Sequence, residues 1–98
     1  MTIASGFIWH SFLKQDPNAI VLDVRSEDSI NQPRFGAKKF PLYNQSDFTS
    51  RLKKLDKNKH YYIYSKTGEK GELACWLMEE AGFMETTNLD GGLVNFKT

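Results

Sequence analysis

Between Tyr61 and Gly82 the chain reads as a strand, a tight glycine-containing loop and a helix. The strand is Tyr61-Tyr-Ile-Tyr64, the loop is Ser65-Lys66-Thr67-Gly68-Glu69-Lys70-Gly71, and the helix runs from Glu72 to Ala81 and is closed by Gly82. A strand that passes straight into a helix through a short loop aims several backbone N–H groups at one point. The helix dipole then favours an anion there. Such a unit needs parallel neighbours for its strand and a sheet face for its helix, which confines the fold to the α/β class.

The remaining segments supply those neighbours. Ser5 is placed to cap a helix reaching about Lys14, with Ile8 and Phe12 on one face, and Asp16-Pro17-Asn18 ends it. Ala19 to Val24 is an apolar run of strand length, suited to burial on both faces. Ser26 predicts the cap of a brief helical turn. A second short strand is expected around Lys39-Phe40, stopped by Pro41. Ser46 is read as the cap of another helix, whose Phe48, Leu52 and Leu55 keep the 3.6-residue period while Arg51, Lys53 and Lys54 face water. Thr86 to Leu89 reads as a last strand, followed by Gly91-Gly92 and a short terminal helix. Short strands alternating with helices predict one domain over residues 1–98: a small parallel sheet with helices on both faces and right-handed crossovers. Ligands of such sheets gather at the carboxyl ends of the strands, where Ser65 stands.

Four segments carry a family resemblance. Gly68 lies three residues after Ser65, and Ala81-Gly82-Phe83 ends the helix. Leu22-Asp23-Val24-Arg25 follows an early buried strand. Gly36-Ala37 precedes Pro41-Leu42, and Leu89-Asp90-Gly91-Gly92 precedes Phe96. In this order and at these distances they resemble rhodanese-like domains, and the likeness covers most of the chain. One departure is Asn31-Gln-Pro-Arg34, which replaces the family's usual His-Ile-Pro region. In that family a cysteine ends the strand and carries sulfane sulfur as a persulfide, with the loop N–H groups and an arginine stabilising the charge. Here the cysteine position holds Ser65 and the arginine position holds Lys70. The resemblance therefore implies a domain that keeps the cradle and lacks the nucleophile.

Other residues do not restore the chemistry. A serine hydroxyl forms no persulfide, and acyl transfer would need a base within about 3 Å. His60 precedes the strand that ends at Ser65, so five extended residues put it roughly 16 Å away at the opposite edge of the sheet. His10 sits on the first helix, where a helix-face histidine is the simpler reading. Cys75 is the single cysteine. It flanks the apolar side of its helix more than a turn beyond the loop, where a free thiol acts as a small hydrophobe. Asp23 and Arg25 are read as a strand-end pair that fixes neighbouring loops. Trp76, beside Glu72 and Glu79, is a candidate partner contact if exposed. Gly68-Glu69-Lys70-Gly71 spells a GXXG motif but follows a strand instead of joining two helices, and it is no Walker A loop.

Charge narrows the partners. Lys66 and Lys70 favour an anion at the loop while Glu69 and Glu72 oppose it. What remains is the backbone dipole, about 0.3–1 kcal/mol when exposed. About 4 kcal/mol is needed for 1 mM affinity, so small-anion binding is expected to be weak. A net charge of +1 gives no general electrostatic reason to expect nucleic acid or membrane. The single cysteine excludes an internal disulfide and points to a reducing, cytoplasmic setting. No apolar run approaches the roughly 18 residues of a membrane span. One cysteine and two histidines far apart make no structural zinc site, and no cofactor is expected. Two functional readings stay open. The first is a non-catalytic binding or regulatory module with a protein partner. The second is a sulfurtransferase, moving thiosulfate or persulfide sulfur, whose nucleophilic cysteine was exchanged for serine by mutagenesis. Lys70 favours the first, since such an exchange would alter the nucleophile alone. A phosphatase relative ranks lower, because it too needs a thiolate and an arginine at this loop.

Overall fold

The computed structural model describes residues 1–26 and 32–96. The elements run β1 (Thr2–Ala4), α1 (Gly6–Lys14), β2 (Ile20–Asp23), β3 (Lys38–Lys39), α2 (Gln45–Leu52), β4 (His60–Tyr64), α3 (Glu69–Glu80) and β5 (Glu85–Leu89), with a 3₁₀ turn at Leu93–Asn95. All five strands pair in parallel in the order β1-β5-β4-β2-β3. β4 lies at the centre, with Tyr61 opposite Ile20 and Thr86, so its carboxyl end opens between two neighbours.

Alternation along β4 divides the interior in two. Tyr61 and Ile63 point to the side covered by α2 and α3, where Leu22, Phe48, Leu52, Ala74, Cys75 and Met78 close the core. Tyr62 and Tyr64 point to the other side, where Trp9 of α1 packs with Ala4, Val21 and Leu89. Val21 and Leu22 are thus both buried, on opposite faces, as an apolar run in a parallel sheet requires.

Several local expectations are corrected. The edge strand β1 was not anticipated, because three residues are too few to show a period. The Ile8 and Phe12 face of α1 points outward, those residues being 45% and 46% exposed. The buried residue is Trp9, whose indole N–H donates to the Thr87 carbonyl at 3.2 Å and whose ring meets Tyr62 and Tyr64 edge-on. The larger ring with a satisfiable N–H wins the core side. Ser5 holds the N-cap position of α1, but its side chain makes no capping bond. α2 is capped by Asn44 and not by Ser46: Asn44 Oδ1 accepts from the Asp47 N–H at 2.9 Å. Arg51 does not simply face water. Its guanidinium lies over the rings of Phe40 and Phe48, pairs with Asp47 at 3.0 Å and donates to the Pro41 carbonyl. α3 begins at Glu69, three residues before the expected start, because Gly68 takes a left-handed φ of 100° and turns the chain into the helix at once. The short strand near Lys39 and the strand from Thr86 to Leu89 are present. The helical turn predicted after Ser26 lies outside the described residues.

Candidate anion-binding loop

Ser65 directly follows β4 and is 1% exposed. Its Oγ accepts the N–H of Gly68 at 3.0 Å and that of Gly71 at 3.1 Å. Two of the loop's donors therefore converge on the serine hydroxyl itself, and the residue fills the centre of its own cradle. The loop is also tied from outside. The Leu93 N–H donates to the Ser65 carbonyl at 3.0 Å and the Val94 N–H to the Lys66 carbonyl at 3.1 Å. Glycine is needed where these backbones touch. A Cβ on Gly92, whose φ is 65°, would lie 2.4 Å from the Lys66 oxygen, and one on Gly68 would lie 2.9 Å from the Gly91 nitrogen. The Gly91-Gly92 pair thus serves the loop and not its own turn alone.

Sequence reasoning missed Asn88. It stands on β5, distant from the loop in the chain, and nothing in its strand pattern marks it out. Its Nδ2 donates to the Gly68 carbonyl at 3.2 Å, while its Oδ1 is buried without a hydrogen-bond partner among the described residues. A Cβ on Gly71 would fall 2.1 Å from that oxygen, so the missing side chain at 71 is the space the Asn88 amide occupies.

The charged residues around the loop are dispersed. Lys66, Thr67 and Glu69 are exposed, whereas Lys70, half-buried, donates to the Ser26 hydroxyl. Beside the loop, Asp23 is buried; it takes the Arg25 guanidinium at 2.6 Å and the Tyr64 hydroxyl at 2.9 Å. The Tyr64 oxygen in turn accepts the Arg34 N–H at 2.8 Å. The pair fixes adjoining segments, as expected of strand-end charges. Its hydrogen bond to Asp23 holds the Arg25 guanidinium above its usual range, and burial pushes the Tyr64 phenol up to about 12.

Among the described residues neither histidine is placed to act as a base on Ser65. His60 lies at the opposite end of β4, stacked on Tyr62, with Nδ1 3.4 Å from Asp16 and 3.2 Å from Glu85 and Nε2 2.8 Å from the Thr87 hydroxyl. His10 packs against Phe35 and Phe96. Cys75 is fully buried in α3, and burial pushes its thiol up to about 12, the reverse of an activated nucleophile. Among the described residues no group of histidine, cysteine and acidic side chains is placed to hold a metal. No helix among them is long and apolar enough to cross a membrane. Trp76 is half-exposed. An open hollow of about 460 Å³ is lined by Ser65, Lys66, Thr67, Glu69, Lys70 and Leu73.

A central strand running into an N–H-lined loop, buttressed by a paired-glycine turn on the next strand, defines a class of domain. The chain belongs to the rhodanese-like domain family, whose model matches residues 9–98. Among solved structures it is similar to the rhodanese-like domain of an Anabaena protein, with a TM-score of 0.78 and 27% identity over 98% of this chain and 73% of that one. A rhodanese-like domain protein from Staphylococcus aureus shares the fold, with a TM-score of 0.76 at 21% identity, covering 99% of this chain and 92% of that one. Among curated proteins the chain is 29% identical over 97 residues to a tRNA uridine(34) hydroxylase of Legionella pneumophila, covering 90% of this chain and 36% of the relative. It is 33% identical over 87 residues to the protein of the same name from Cytophaga hutchinsonii, covering 86% of this chain and 28% of the relative. The chain thus spans about a third of the length of the curated relatives it matches.

Proposed function

We propose that this rhodanese-like domain performs no sulfur transfer of its own and serves as a binding or regulatory module for a protein partner. The observation that carries the reading is the Ser65 Oγ, a hydroxyl at the point where the N–H groups of Gly68 and Gly71 converge. A persulfide needs a thiol, and the only thiol in the chain, Cys75, is buried with its pKa pushed to about 12. Small-anion binding at residues 65–71 belongs to the same proposal and is weak, because two of the best-placed donors already serve the serine. The name of the tRNA-acting relatives describes proteins about three times longer than this chain. Any share in such an activity would be one of binding and not of chemistry at Ser65.

Cyanolysis and thiosulfate turnover test the reading. The wild-type chain should release no thiocyanate on cyanide treatment and should not turn over thiosulfate. A stoichiometric persulfide, located to Cys75 by mass spectrometry, would restore the sulfurtransferase reading.

A further inference from the structure

Two buried polar groups at the loop are each half-satisfied, and they face the same space. A hydroxyl has two acceptor sites and one hydrogen to give. Ser65 Oγ engages both acceptor sites with the N–H groups of Gly68 and Gly71, so its hydrogen still needs an acceptor. Asn88 has the opposite lack: it is buried, and its Oδ1 meets no donor among the described residues. The Cβ that Gly71 does not have would stand 2.1 Å from that oxygen and 3.3 Å from Ser65 Oγ. Glycine at 71 therefore leaves nothing of its own between the hydroxyl and the amide oxygen.

The orientation of the amide is set from its other end. Asn88 Nδ2 donates to the Gly68 carbonyl at 3.2 Å. Turning the amide over would set Oδ1 against that carbonyl, acceptor against acceptor, and lose the bond. The backbone cannot drift to relieve this, because Asn88 sits within β5, paired with Ile63 on one side and Ile3 on the other. The oxygen end is thereby committed to the side where Ser65 stands. A carbonyl oxygen in a buried site attracts a hydrogen and opposes a negative charge.

We infer that Ser65 donates its hydroxyl hydrogen to Asn88 Oδ1, and that Asn88 is the residue that fits this loop to a neutral hydrogen donor instead of a sulfur anion. The inference rests on the non-catalytic reading and deepens it. The N–H groups of Gly68 and Gly71 suit a hydroxyl and a thiolate alike, so they do not choose between them; Asn88 does. It also bears on the rival reading. A natural cysteine later exchanged for serine would have faced its thiolate towards a buried carbonyl oxygen, the reverse of what activates a thiol.

The test places a reporter thiol at position 65. Ser65→Cys is made together with Cys75→Ala, so that a single thiol is present. Its alkylation by iodoacetamide is then followed against pH with Asn88 intact, with Asn88→Ala and with Asn88→Leu. Once the opposing oxygen is gone, both variants should alkylate about three- to tenfold faster at neutral pH, through a thiol that titrates lower. Rates unchanged or slower in both would overturn the inference, because the amide would then oppose no anion or would turn its N–H to the sulfur. Circular dichroism reports that each variant keeps the fold. A crystal structure of the wild-type chain gives a second measurement: Ser65 Oγ should lie about 2.7–2.8 Å from Asn88 Oδ1. A separation beyond hydrogen-bond reach overturns the inference even if no Asn88 variant folds. Cyanolysis of the wild-type chain separates the two conclusions. Thiocyanate release rejects the non-catalytic reading whatever the alkylation profiles show. Silence there, with profiles indifferent to Asn88, rejects only the role given to Asn88.

Discussion

At the scale of single residues, the chemistry turns on one atom. Ser65 Oγ accepts two loop N–H bonds in a buried position, so its polarity is consumed in holding the loop. Ser65→Cys would set a thiolate at the same convergence, at a helix N-terminus with Lys66 nearby. Its pKa should fall below the free value of about 8.5, with Glu69 and Glu72 limiting the drop. Turnover should stay low, since Lys70 cannot offer the parallel pair of hydrogen bonds that arginine gives an anion. Adding Lys70→Arg should raise thiosulfate turnover above that of the single variant. Alkylation rate against pH reads the first effect and a turnover assay the second. A thiol titrating above 8.5, joined to an inert double variant, would show that the cradle does not stabilise negative charge. The residues of this site were unevenly legible in the sequence. Ser65, Gly68 and Lys70 stand out because the loop is contiguous. Asn88 does not, because its link to the Gly68 carbonyl exists only once β5 lies beside β4.

At the scale of elements, strand and helix identities follow from period and length, whereas ends and faces depend on partners. The position of β4 was readable because aromatic and β-branched residues fill it without a break. The start of α3 was not, since a left-handed glycine can begin a helix as well as end one. The orientation of α1 was misread because Ile8 and Phe12 share a helical face as plausibly as Trp9 and Leu13 do. Only the Thr87 carbonyl waiting for an indole N–H decides between them. The cap of α2 makes the distinction measurable. Asn44→Ala removes the acceptor of the Asp47 N–H and should cost about 1 kcal/mol. Ser46→Ala, at an exposed position inside the helix, should change stability by a few tenths at most or raise it slightly. Urea melts of the two variants compare them directly. Equal losses would return the cap to Ser46.

At the scale of the whole molecule, stability should fall in alkali. Burial raises Cys75 from 9.0 to about 12 and Tyr64 from 10.0 to about 12, and it raises Tyr61 and Tyr62 in the same direction. A raised folded-state pKa means the unfolded chain loses its proton first. For Cys75 and Tyr64 the stabilisation is complete below pH 9 and drains away as pH climbs towards 12, at up to about 1.4 kcal/mol per pH unit for each of the two. Urea midpoints measured from pH 8 to 10.5 should therefore decline, and Cys75→Ala should flatten the first part of that decline. A midpoint constant across the range would contradict the burial of these groups. The same molecule-wide view bears on the latch between the loop and the turn after β5, where Leu93 and Val94 hold the carbonyls of Ser65 and Lys66. These two bonds couple the base of the loop to that turn. Any opening that lets solvent reach the Ser65 carbonyl must also release the Leu93 amide, so in hydrogen exchange the two segments breathe as one cooperative unit. A substitution that loosens residues 93 and 94 is felt at Ser65 as though it had been made in the loop itself.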